Sequence, residues 1–399
     1  MQDVQAQSKV RSNSPLLLIF LTIFVDLIGF GIVIPILPIY AESTKFHASP
    51  TAIGWLMGSY SLAQFIFTPL LGRWSDRVGR RPILFFSVLG TALAFIAMGM
   101  AQSFWMLLIA RVVDGITGGN ISTAQAYIAD ITQPEDRAKG LGVIGAAFGL
   151  GFIFGPAIGG ELSRFGLGAP FYFAAALAVI NAVSIYFLLP ESLSRERRAE
   201  AEASAAQSSR FEAIAETLRQ PELRLLVLIS FILTLSFATY QTNFALFAKV
   251  RYDFTPPQIG RLFVYIGVIG AIVQGVLIGR LTRQFGERRL LISGLLVMTI
   301  SSACIPLATG TLSLLAVLGV LAAGSALITN LAPALISQRT AAHKQGTVLG
   351  VTQSIGSLAR FIGPALGGIA FGTISPVAPF ILCALMTTLA LILSLTSVE

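Results

Sequence analysis

The chain has 399 residues, 55% of them hydrophobic and only 12% charged, with a mean hydropathy of +0.79. Soluble folds carry about twice that charge, so a water-soluble enzyme is excluded and the chain reads as an all-α integral membrane protein. The net charge of +8 fits loops between spans rather than a nucleic-acid surface, and two cysteines with two histidines supply neither a disulfide framework nor a metal site.

Twelve apolar runs approach the ~20 residues that a bilayer core demands. They fall at about 15–40, 51–72, 82–101, 103–130, 138–161, 168–190, 223–249, 256–280, 289–309, 311–337, 345–371 and 376–397. The first is too long for a signal peptide and leads into Pro35 and Pro38 without a cleavage pattern, so it is expected to stay in the protein. It carries Asp26. After the second comes Gly72-Arg73-Trp74-Ser75-Asp76-Arg77-Val78-Gly79-Arg80-Arg81. The fourth holds Arg111, Asp114, Gly115, Asn120 and Gln125 and ends at Asp130, on the same side as Asp76, so both acids can pair with Arg80. In the fifth, Gly151, Gly155-Pro156 and Gly159-Gly160 let helices approach closely, and the proline weakens local hydrogen bonding where a hinge can sit. Plain packing and a gating role both remain open there.

Residues 191–222 are charged and then rich in Ala, Ser and Gln, a linker between units 1–190 and 223–399, part of which can form an interfacial helix. Beyond it, the seventh run contains Tyr240-Gln241-Thr242-Asn243, the tenth Thr329-Asn330 and the eleventh Arg360 with Gly363-Pro364. With the N-terminus in the cytoplasm, twenty of the 27 Lys and Arg fall in cytoplasmic segments, which argues for both termini there.

The halves repeat. Residues 128–160 lie on 336–368 at a separation of 208 with 11 identities in 33 positions, ending in Gly155-Pro156-Ala157 against Gly363-Pro364-Ala365. Six plus six spans in parallel repeats are the plan of a transporter that rocks one half against the other.

Four ionisable groups lie well inside the spans: Asp26, Arg111, Asp114 and Arg360. Spans one and four run in opposite directions with Asp26 and Asp114 each ~15 Å deep at 1.5 Å per residue, so the two meet near the midplane. Arg111, three residues before Asp114, shares its helical face. A proton-coupling site and a permanent Asp–Arg bridge are both consistent with this set. Arg360 attracts an anionic substrate, pairs across the cavity, or snorkels to the outer face.

The loop after span two, Arg111-x-x-x-Gly115, and Gly151-x-x-x-Gly155-Pro156-x-x-Gly159-Gly160 together resemble the signature set of the major facilitator superfamily, in its drug:proton antiporter branch. Asp26-Leu27-Ile28-Gly29-Phe30-Gly31 through Pro38, and Gly115 through Gly119, are similar to tetracycline-resistance carriers. The resemblance implies twelve helices in two pseudo-symmetric six-helix bundles and export of small organic compounds in exchange for protons. It implies a conformational latch of Gly72, Asp76, Arg77, Gly79, Arg80 and Asp130, and an antiport motif on the span-five glycines. It also implies a cavity lined from spans one, four, seven and ten, which suggests Asn120, Gln125, Tyr240, Gln241, Asn243 and Asn330, with Arg360 added. Span three, Ser87 to Phe95, lacks the acid usual in tetracycline carriers, so an anionic or zwitterionic substrate stands beside a cationic drug. A sugar or metabolite symporter and an organic-anion carrier are the alternatives on this fold. A membrane enzyme or receptor is disfavoured, because no nucleophile–base pair, metal cluster or phosphate loop is present. The expected partners are a small organic substrate, protons and the bilayer of a cell (inner) membrane, with no cofactor and a functional monomer.

Overall fold

The computed structural model describes residues 2–133, 136–193, 210–341 and 344–396. Most of the linker, with Arg195, Arg197 and Arg198, lies outside them. The described residues form helices α1 (Gln2–Glu42), α2 (Pro50–Val78), α3 (Arg80–Met100), α4 (Phe104–Thr117), α5 (Asn120–Ile131), α6 (Arg137–Leu162) and α7 (Ala169–Leu188). After the linker come α8 (Arg210–Arg219), α9 (Pro221–Tyr252), α10 (Pro256–Ile272), α11 (Ile278–Phe285), α12 (Glu287–Cys304), α13 (Thr311–Gln338), α14 (Gln345–Thr373) and α15 (Ala378–Thr396). Among the described residues, eleven helical spans are long and apolar enough to cross a membrane. The twelfth expected span, α2, is 29 residues long, and its apolar run is diluted by Ser59, Tyr60, Ser61 and Gln64.

Two spans are interrupted. The fourth consists of α4 and α5, separated by Gly118 (φ −68°, ψ 2°) and Gly119 (φ −73°, ψ 8°) in the bridge region of backbone space. The eighth contains a π-turn, Val273–Leu277, between α10 and α11. It then continues to Phe285, beyond the expected end at 280, until Gly286 at φ 77° stops it.

By packing, the chain divides into two compact units: Met1–Ile36 with Ala63–Gln207, and Leu37–Leu62 with Ser208–Glu399. In the first unit a core of Ile23, Leu27, Leu84, Val88, Tyr127, Ile144 and Ala182 joins α1, α3, α5, α6 and α7. Thr22 of α1 and Asn181 of α7 exchange hydrogen bonds within that core at 3.2 and 3.3 Å. Where α6 meets α1 the contact includes bare backbone. A Cβ added to Gly155 would come 2.6 Å from Gly31 Cα, and one added to Gly31 would come 2.7 Å from the Gly151 carbonyl oxygen. Gly159 lies against Ile32 and Ile36.

The second unit repeats the contact at the separation of 208 seen in the sequence. Thr239 stands where Gly31 stands, and its hydroxyl donates to the Gly363 carbonyl at 3.0 Å. In the same unit the start of α2 packs on α14, with Gly58 against Phe361 and Gly54 against Ala365. Ser236 of α9 and Cys383 of α15 donate to each other's carbonyls at 3.4 and 3.2 Å. Cys383 is buried and Cys304 half-buried. The short helix α8 docks through Leu218 on a core of Leu223, Leu226, Val227, Ile336 and Val348.

Candidate functional site

The intramembrane acids sit around the break in span four. Arg111 and Asp114, on adjacent turns of α4, are 1% and 4% exposed and form an ion pair at 2.5 Å. Arg111 is thus matched to Asp114. The Gly118 amide still reaches the Asp114 carbonyl at 2.7 Å, while the Gly118 carbonyl takes the side-chain amide of Gln64 from α2 at 3.0 Å. Asn120, the first residue after the break, donates its amide to Asp26 Oδ2. The other oxygen, Asp26 Oδ1, is buried and has no hydrogen-bond partner. The two acids therefore differ: Asp114 is neutralised by a base, and Asp26 is held by a neutral amide.

The residues expected to form a latch lie around a second centre at the junction of α2, α3, α5 and the residues after α7. Gly79, at φ 119°, makes the sharp turn between α2 and α3, a conformation open to glycine and poor for other residues. The turn brings the buried Arg80 side chain to Asp76 at 2.6 Å, Asp130 at 3.2 Å and the Ser75 hydroxyl at 2.6 Å. Arg77 is exposed, and a Cβ added to Gly72 would come 4.0 Å from the Ser122 hydroxyl. Two contributors were not anticipated from the sequence. Glu191 accepts from the backbone amides of Arg80 and Arg81 at 2.9 and 3.2 Å, capping α3, and Ser192 donates to Asp130 at 3.0 Å. The available signal was an acid directly after the helix-closing Pro190, in a stretch otherwise read only as linker.

The expected cavity residues do not share one surroundings. Gln125 and Asn330 are exposed, the latter donating to the Ala326 carbonyl at 2.9 Å, and Gln241 is half-buried. Tyr240 and Asn243 are corrections to the expectation that they face a cavity. The Tyr240 ring is buried among Phe244, Phe380 and Phe237, with centroids 5.4, 6.2 and 6.4 Å away. The Asn243 amide donates to the Thr239 carbonyl at 2.8 Å against the bare backbone of Gly367. Both occupy the face of α9 that packs on neighbouring helices, because four consecutive polar residues cannot all share one side of a helix. Of the span-five glycines, Gly151, Gly155 and Gly159 form the seam with α1, Pro156 touches it beside Gly31, and Gly160 is buried. Arg360 donates to the Ser357 hydroxyl at 2.9 Å.

The family model for the Major Facilitator Superfamily matches residues 19–364 and 252–398. Multidrug resistance protein 2 of Bacillus subtilis (strain 168) is 31% identical over 92% of this chain and 91% of its own. Tetracycline resistance protein, class C, of Escherichia coli is 32% identical over 90% and 89%. Among solved structures, the human organic anion transporter TETRAN superposes with a TM-score of 0.71 at 26% identity over 96% of this chain and 99% of that one. A bacterial homologue of the human lysosomal transporter Spinster, in an inward-facing and occupied conformation, reaches a TM-score of 0.80 at 16% identity over 96% of each, a likeness of fold.

Proposed function

This chain belongs to the Major Facilitator Superfamily, and on that premise we propose that it is a proton-coupled secondary transporter exporting small organic, drug-like compounds by alternating access. It is a multi-pass membrane transporter, and the inner membrane of a cell is its proposed location. One observation carries the reading. Along nine-tenths of its length the chain follows multidrug and tetracycline resistance proteins, and within that stretch Asp26 is a bilayer-embedded acid whose hydrogen-bonding partner is a neutral amide.

A charge held there without a base costs at least ~2.5–3.5 kcal/mol. Asp26 therefore exchanges a proton as water enters or leaves, and Asn120, placed at the head of α5 by the Gly118-Gly119 break, links that exchange to span four. Asp114 with Arg111 is a fixed ion pair beside that exchange. The repeats 1–190 and 223–399, joined by 191–222, are the moving halves, and the Arg80 centre is the latch between working states. Each chain carries both halves of a pathway, which supports a monomer, and the Lys and Arg bias supports both termini in the cytoplasm.

The test is transport in proteoliposomes under an imposed pH gradient, with tetracycline and ethidium as cargo and wild type beside Asp26→Asn. Substrate and protons are expected to move in opposite directions, with the variant retaining exchange and losing its response to the gradient. A variant indistinguishable from wild type transfers the role to Asp114, and flux in wild type that ignores the gradient refutes proton coupling.

A further inference from the structure

Arg360 lies in the middle of α14, 29 residues long, and among the described residues no carboxylate stands within ion-pair distance of it. Its neighbours are the Ser357 hydroxyl at 2.9 Å, the bare backbone of Gly356, whose Cβ position is 3.6 Å from Nη1, and Tyr60 of α2 within electrostatic reach. The guanidinium bends back one turn toward the helix N-terminus. It does not snorkel toward the C-terminal, outer end, so that expectation is corrected.

The repeat shows that the fold has no need of a cation here. At the separation of 208, Arg360 corresponds to Phe152, and Ala238 to Phe30. In the first unit Phe152 and Phe30 pack edge to face at 5.9 Å. In the second, the corresponding positions carry an arginine and an alanine, so that apolar ring contact has no counterpart. Leading to Arg360 along one helical face are Gly346, Gly350, Gln353 and Ser357, at heptad spacing. The first three are exposed, and a Cβ on either glycine would meet nothing within 4 Å. A lipid-facing stripe would carry Leu, Ile or Phe; this one is polar or bare and open, and it ends on a cation.

We propose that this face of α14 is the approach to, and Arg360 with Ser357 the seat for, an acidic group on the exported compound, so that the substrates include amphipathic organic anions. The inference rests on the exporter reading and gives it a substrate class. A guanidinium offers two parallel donors to a carboxylate or sulfonate, and Ser357 orients them.

The full chain in proteoliposomes under a pH gradient tests it with two probes of opposite charge, fluorescein and ethidium, and fluorescein binding to the purified protein is followed by anisotropy. Arg360→Gln is expected to lower the ratio of fluorescein to ethidium flux about tenfold or more, the scale of one charge-assisted contact, with fluorescein affinity falling alongside. Arg360→Lys, which keeps the charge, should hold the ratio within about threefold of wild type. Equal loss of both fluxes in both variants makes Arg360 a structural residue and overturns the proposal. So does wild type that exports ethidium but neither binds nor moves fluorescein, an outcome that leaves the exporter intact. Arg360-dependent fluorescein binding with no flux in response to the gradient supports the seat and brings down proton-driven export instead.

Discussion

Asp26 and Asp114 are the same chemical group in opposite company, and substitution should separate them. Asp114→Asn leaves the guanidinium of Arg111, 1% exposed, without its acid, and breaking such a pair costs about 3–5 kcal/mol. Asp26→Asn keeps an acceptor for the Asn120 amide, strands no buried base and costs far less. Thermal unfolding of the two variants in lipid nanodiscs should therefore show a large drop for Asp114→Asn and a small one for Asp26→Asn; the reverse order would reassign their roles. The chain announces these residues by itself, because an ionisable side chain in an apolar run is conspicuous. What it conceals is orientation. Tyr240 through Asn243 are equally polar on the page, and only packing decides that Tyr240 and Asn243 turn toward α15 and α14. Glu191 is hidden for another reason: its partners, Arg80 and Arg81, are 111 and 110 residues away.

At the scale of helices, spans are legible because bilayer thickness fixes their length, and glycine spacing marks where two of them touch. Interruptions are not legible. The pair Gly118-Gly119 breaks span four, whereas Gly159-Gly160 leaves α6 continuous. The seam predicts a contrast between glycines of one helix. Gly155→Ala places a methyl 2.6 Å from Gly31 Cα, forcing α1 and α6 apart, and is expected to lower both melting temperature and transport. Gly142→Ala meets nothing within 4 Å and should be neutral or gain up to about 1 kcal/mol in helix propensity. Melting curves of the two purified variants decide this, and equal behaviour would mean that the seam does not limit helix approach. The linker's last helix offers a pH argument. Lys344 donates to Glu216 at 2.8 Å and holds that carboxyl below its ordinary value of 4.5. A group lowered in the folded state contributes above its unfolded value and loses that contribution only as pH falls through the folded one. The stability difference between wild type and Glu216→Gln should thus stay flat from pH 8 to pH 5. A difference that changes with pH in this window would show that the Lys344 contact does not set the charge of Glu216.

For the molecule as a whole, the repeat visible in the sequence reappears as geometry: Gly31 on Gly155 in one unit, Thr239 on Gly363 in the other, each pair related by 208 residues. The copies diverge at Phe152 and Arg360, and the second of these is the position proposed as the anion seat. The arrangement of the cysteines has a practical side. Cys383 is buried with its thiol turned onto a backbone carbonyl, so a bulky maleimide or nitroxide reagent has no path to it, and the half-buried Cys304 is the thiol to remove. One replacement then yields a background silent to such reagents. New cysteines set in pairs on surface positions of each repeat would let electron-spin distances test the proposed rocking of the halves, in a protein that needed almost no rebuilding to be watched.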